Sequence, residues 1–189
     1  MVKLGFFSLM LIMSYIVTRD IYTLVTIIAA TIHELGHVFA AAALKIRIGE
    51  FKLGVLGARL RVSDGIYSYS KEAILCAAGP FINFLTALFA FLLFPKNEIM
   101  TIFIFISIGL GILNLLPIRS FDGGRIFEAL LLRALVPDIA KKILDCLSFF
   151  IVLFLWLVSV YFLLKYSSSL NLFIFSSSLF CGLFVDKEF

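Results

Sequence analysis

Long apolar runs with few charges dominate the chain and divide it into six segments. Leu4–Thr18 and Ile21–Leu44 are separated only by Arg19-Asp20. Ala73–Phe94 ends at the turn Pro95-Lys96-Asn97-Glu98, and Ile99–Leu116 is interrupted at Pro117. Ile139–Leu164 and the serine-interrupted Leu170–Val185 complete the series. A helix needs about 20 apolar residues to cross a bilayer, so the pattern predicts about six transmembrane helices. Gly123–Val136 carries Arg125, Glu128 and Arg133 and reads as a short helix outside the spans. Lys45–Glu72 breaks the pattern. Ile46-Arg47-Ile48 and Leu60-Arg61-Val62 alternate apolar and charged residues, the period of a half-buried strand, between turn signals at Gly49, Gly54, Gly57 and Ser63-Asp64-Gly65. The expected fold is an all-α membrane protein with a small membrane-surface β segment at about 45–70. Such a segment is a connector, or a strand edge that an extended peptide can join.

Composition agrees. Of 189 residues, 62% are hydrophobic and 15% charged, with a mean hydropathy of +1.13; soluble domains run near half apolar and a quarter charged. A single polytopic domain, 1–189, fills the length. The net charge of +4 does not point to nucleic acid, because the cations flank apolar runs. Six spans place the N-terminus, 45–72, 117–138 and the C-terminus on one side. With Lys141 and Lys142, which open the fifth run, counted to it, that side holds 13 of the 16 Lys and Arg, and Arg19, Lys96 and Lys165 lie on the other. By the positive-inside rule both termini of this multi-pass membrane protein are expected to be cytoplasmic. Lys3 and the apolar run after it resemble a signal peptide, but no small-residue cleavage site follows, so an uncleaved first span is expected. Cys76, Cys146 and Cys181 lie in apolar stretches without paired spacing and read as small core residues.

The chain has two histidines, both in His33-Glu34-Leu35-Gly36-His37 inside the second apolar run. Residues four apart share a helix face, so both imidazoles can reach one metal ion, with Glu34 placed as general base toward water at that ion. A charged residue at the centre of a span costs about 2.5–3.5 kcal/mol on insertion scales, which a function must offset. A catalytic zinc takes three protein ligands. No third histidine exists, so the third is expected to be a carboxylate. Asp122 stands out within Asn114-Leu115-Leu116-Pro117-Ile118-Arg119-Ser120-Phe121-Asp122-Gly123-Gly124. Pro117 cannot continue a helical ladder and the glycines let the backbone turn. Broken backbone at membrane depth is tolerated only when buried in protein or lining a watery cavity. The competing reading is an ordinary Asp-Gly turn between helices, and spacing alone does not separate the two.

His-Glu-x-x-His in a span, followed by Asn-x-x-Pro-x-x-x-x-Asp-Gly, resembles the site-2 protease family of intramembrane zinc metalloproteases. Gly79-Pro80-Phe81-Ile82-Asn83 resembles the Gly-Pro-x-x-Asn signature that the family carries between its two metal motifs. The elements appear in order over roughly residues 20–135, the expected catalytic core. The resemblance implies that His33, His37 and Asp122 bind Zn2+ and that Glu34 is general base and proton shuttle. It also implies that Asn83 and Asn114 hydrogen-bond the backbone of an unwound membrane-protein substrate. Both ligand histidines need an outer-shell acceptor for the second ring N–H, and the sequence does not identify those acceptors. Many relatives carry a PDZ domain between the metal motifs or a C-terminal CBS domain. Neither is expected here, and the chain is most similar to the compact bacterial type that includes the protease processing a sporulation sigma-factor precursor.

The implied activity is hydrolysis of peptide bonds in or near transmembrane segments, close to the cytoplasmic face. A catalytically inactive family member that binds membrane segments as a scaffold is the alternative, against which the intact His33, Glu34, His37 and Asp122 argue. A metal transporter using the histidines as a relay would need several more acidic or histidine sites along a pathway.

Overall fold

The computed structural model describes residues 19–46, 51–54, 57–60, 68–166 and 170–185. The described residues form six helices: α1 (Ile21–Ala43), α2 (Tyr69–Leu93), α3 (Glu98–Asn114), α4 (Asp122–Leu131), α5 (Pro137–Tyr166) and α6 (Leu170–Val185). Five of them correspond to the second to sixth apolar runs and α4 to the short polar helix. The first run, Leu4–Thr18, lies outside the described residues. The chain is all-helical, as the apolar pattern predicts.

The expected surface β segment shrinks to one hairpin. Strands β1 (Phe51–Gly54) and β2 (Gly57–Leu60) pair antiparallel, Phe51 opposite Leu60 and Gly54 opposite Gly57. The rest of 45–70 between Ile46 and Ser68 lies outside the described residues. A two-stranded pair of this length is marginal by itself, and it forms no layer of the architecture.

Helix starts are set by local chemistry. Asp20 caps α1, its carboxylate accepting from Thr23 N–H at 3.2 Å. Asn97 caps α3 by accepting from Met100 N–H at 3.0 Å. Helices α1, α2 and α5 are long and apolar enough to cross a membrane. Their large side chains point outward: Phe39, Phe81, Phe154 and Leu164 are exposed. The helix contacts are instead made by small residues, with Ala29, Ala41, Ala87 and Ala90 buried. A soluble protein places its apolar bulk inside. Here lipid takes that face, and small residues let helices approach closely.

Helix α2 packs against α1, α3 and α4, whereas α5 packs mainly on α6 and also touches α4. Pro80 lies inside α2. It removes one N–H from the ladder, a loss that membrane helices tolerate where neighbouring groups satisfy the freed carbonyl.

Residues 115–121 form the irregular link between α3 and α4. Its Ile118 is buried against Val152 of α5 and Leu179 of α6. Ile118 N–H donates to Leu116 O at 2.7 Å and Phe121 N–H to Ile118 O at 2.8 Å. From α5, the buried Ser148 accepts from Arg119 N–H at 3.0 Å and donates to Pro117 O at 3.4 Å. Arg119 Nη1 pairs with Asp145 at 2.6 Å. The link also presses on the start of α4. A Cβ at Gly123 would lie 2.1 Å from Leu115 O, and one at Gly124 would lie 2.1 Å from Ile118 O. Only glycine fits at either position, which is why two of them follow Asp122.

Candidate metal centre

Three side chains far apart in sequence converge where α1, α2 and α4 meet. His33 and His37 lie one turn apart on α1, and Asp122 opens α4. His33 Nε2 is 3.0 Å from Asp122 Oδ2, and His37 Nε2 is 3.2 Å from the same oxygen. The two Nε2 atoms are 3.2 Å apart, with the rings at 80°. Ligands 2.0–2.1 Å from a tetrahedral zinc are separated by about 3.3 Å. The observed triangle, two imidazole nitrogens and one carboxylate oxygen, therefore fits such an ion in size and chemistry. The carboxylate reading of Asp122 thus prevails over a simple Asp-Gly turn.

The carboxylate is kept ionised. Burial alone would push the Asp122 pKa up, but the His33 and His37 imidazoles beside it outweigh that and hold it at about 2. One turn further on, Arg125 donates to Glu72 at 3.3 Å and ties α4 to the first turn of α2.

Helix α2 holds the imidazoles from behind, through residues spaced four apart. Leu75 O accepts from His37 Nδ1–H at 2.9 Å. Gly79 lies directly against both rings. A Cβ there would come within 2.4 Å of His37 Nε2 and 2.7 Å of His33 Nε2. Asn83 is fully buried, and its Nδ2 is 3.2 Å from His33 Nδ1. The Gly-Pro-x-x-Asn sequence thus has a physical reading: a gap for two rings, then an amide one turn later to meet one of them.

Asn83, expected at the substrate backbone, has a histidine as its partner here. Asn114 lies at the end of α3 and donates its amide N–H to Leu110 O of its own helix at 3.0 Å. Glu34, one residue on from His33, is exposed on α1. The part of Leu75 had no sequence signal, because a backbone carbonyl is common to every residue. Gly79 had one, the same spacing of four to Asn83 that relates His33 to His37.

Together these features define a class: a helical membrane protein with a partly buried His-His-Asp cluster of the donor set and size that a catalytic divalent metal requires. The comparisons with known proteins are consistent with that class. Peptidase family M50 matches residues 96–155, a stretch that includes Asn114 and Asp122 and leaves the histidine pentapeptide outside. No curated protein matches the chain in sequence. Among solved structures, the Site-2 Protease from Methanocaldococcus jannaschii shares the fold. Its TM-score is 0.67 at 19% identity, over 93% of this chain and 83% of that one. The family match and the shared fold bear out the resemblance to the site-2 proteases that the three motifs carry.

Proposed function

We propose that this chain is an intramembrane zinc endopeptidase that cleaves membrane-protein substrates in or near their transmembrane segments. The observation that supports this best is the convergence of His33, His37 and Asp122 into a triangle of zinc-ligand size on a scaffold of apolar helices.

Zinc held by these residues would polarise the scissile carbonyl and bring the pKa of water toward ~7. The remaining work belongs to the chain. Glu34, adjacent to His33 on α1, takes the proton of the attacking water and returns it to the departing amine. Leu75 O keeps the His37 ring turned so that Nε2 faces Asp122. A helical substrate hides its amide bonds, so it must unwind before attack. Asn114, beside the broken backbone of 115–121, is proposed to hydrogen-bond the freed amides, which need partners in a low-dielectric site.

Helix α3 has 17 residues, about 25 Å of rise against a hydrocarbon core about 30 Å thick. A site at its C-terminal end therefore lies within the membrane, near one face. The excess of Lys and Arg on the side of 45–72 and 117–138 makes that face cytoplasmic.

Purified Glu34→Gln protein is expected to retain its zinc and to lose ~10²–10⁴-fold in cleavage of a membrane-anchored substrate. Cleavage at the wild-type rate would refute the role of Glu34. Wild-type protein that holds no zinc would refute the metalloprotease reading as a whole.

A further inference from the structure

We infer that Asn83 is a positioning residue of the metal centre, whose side-chain amide turns its oxygen to His33 Nδ1–H and so supports the imidazole tautomer that leaves His33 Nε2 free to ligate. The inference rests on the metalloprotease reading for its metal and goes beyond it in assigning this residue.

The two histidines are held by unlike partners. His37 Nδ1 faces the Leu75 carbonyl at 2.9 Å. A carbonyl only accepts, so His37 carries its hydrogen on Nδ1, and its Nε2 lone pair always points into the cluster. His33 Nδ1 faces the amide of Asn83 instead, at 3.2 Å. An amide offers a donor at one end and an acceptor at the other, in almost the same shape.

With Nδ2 toward the ring, His33 Nδ1 accepts and its Nε2–H points at Asp122 Oδ2, 3.0 Å away. That arrangement suits the cluster without a metal, because it supplies a hydrogen between two acceptors. A metal at Nε2 needs the other tautomer, with the hydrogen on Nδ1. A half-turn of the amide brings Oδ1 to the same place to receive it. Asn83 can therefore follow the change without moving the ring, which the Leu75 carbonyl could not do.

Burial separates this from a packing role. Asn83 is 0% exposed, and its Oδ1 has no hydrogen-bond partner among the described residues. A buried amide with one end unsatisfied costs about 1–3 kcal/mol. Leucine would fill nearly the same volume without that cost. Among the described residues the amide meets the Nδ1 of a metal-ligand imidazole, and outer-shell partners of that kind strengthen metal binding by about 10–100-fold.

The test compares wild type, Asn83→Leu and Asn83→Asp in detergent. Zinc affinity is read by chelator competition, the visible spectrum is read after Co2+ loading, and thermal unfolding of the metal-free protein monitors the fold. Asn83→Leu is expected to fold, to bind zinc about 10–100-fold more weakly and to shift the Co2+ bands. Asn83→Asp places an acceptor oxygen at the same position and is expected to restore zinc affinity to within threefold of wild type. If wild type binds zinc and Asn83→Leu binds it equally well, the inference is overturned. If Asn83→Leu does not fold, the Asp variant decides. Wild-type affinity supports the inference, and a tenfold or greater loss overturns it. Wild type without zinc would instead defeat the metalloprotease reading and leave His33 with no ion to be positioned for.

Discussion

Gly79 shows how much of a site can depend on a missing side chain. Both imidazoles rest against it, and a single methyl would meet His37 Cε1 at 2.6 Å as well as the two Nε2 atoms. Neither ring can retreat freely. His37 is tethered to Leu75 O, and His33 lies between Asn83 and Asp122. Overpacking of this kind costs about 1–3 kcal/mol, and each 1.4 kcal/mol is tenfold in affinity. Gly79→Ala should therefore weaken zinc binding by about 5- to 140-fold, measured by chelator competition, and wild-type affinity in that variant would show that the rings have room to move. Asp122 illustrates the opposite case, a residue whose neighbours were invisible in the sequence. Aspartate-glycine is an ordinary turn signal, and nothing local separates a ligand from a turn. The imidazoles that receive it are 89 and 85 positions earlier, at His33 and His37, and only folding brings them within 3.2 Å.

Among the elements, α2 and the 115–121 link divide the work of the site. Helix α2 backs the histidines through Leu75, Gly79 and Asn83, which share one face because they are spaced by four. The link delivers Asp122. Such irregular backbone is stable at membrane depth only if its polar groups are satisfied by protein, and Ser148 satisfies two of them, Arg119 N–H and Pro117 O. Removing that hydroxyl leaves a buried donor and a buried acceptor without their partner, at about 1–3 kcal/mol. Ser148→Ala should lower the thermal unfolding temperature in detergent and loosen zinc binding together, since the same backbone carries both. A variant that melts with wild type would show that Asp145 and Ile118 suffice to hold the link. The helical elements were legible from sequence because apolar runs are local signals. The β segment was not. Alternation over three residues at 46–48 and 60–62 is too short to specify pairing, and the strands that form are Phe51–Gly54 and Gly57–Leu60.

At the scale of the molecule, the cation asymmetry is the one orientation signal, and it yields a direct expectation. A reporter that folds only in the cytoplasm should be active when fused after Val136 and inactive when fused after Lys96, in intact cells. The reverse pattern would invert the topology and place the proposed site near the outer face. The amino-acid sequence by itself determined the class of the fold, because solvation by lipid demands long apolar helices whatever their arrangement. It also supplied the histidine pair, since a helix of known period puts residues four apart on one face. The tertiary structure decided the rest: that Asp122 completes the cluster, that Gly79 is a seat for two rings, and that Asn83 meets a ligand histidine. Those facts depend on how separate helices cross, and crossing is set by side-chain packing between segments distant in the chain, for which no local pattern exists.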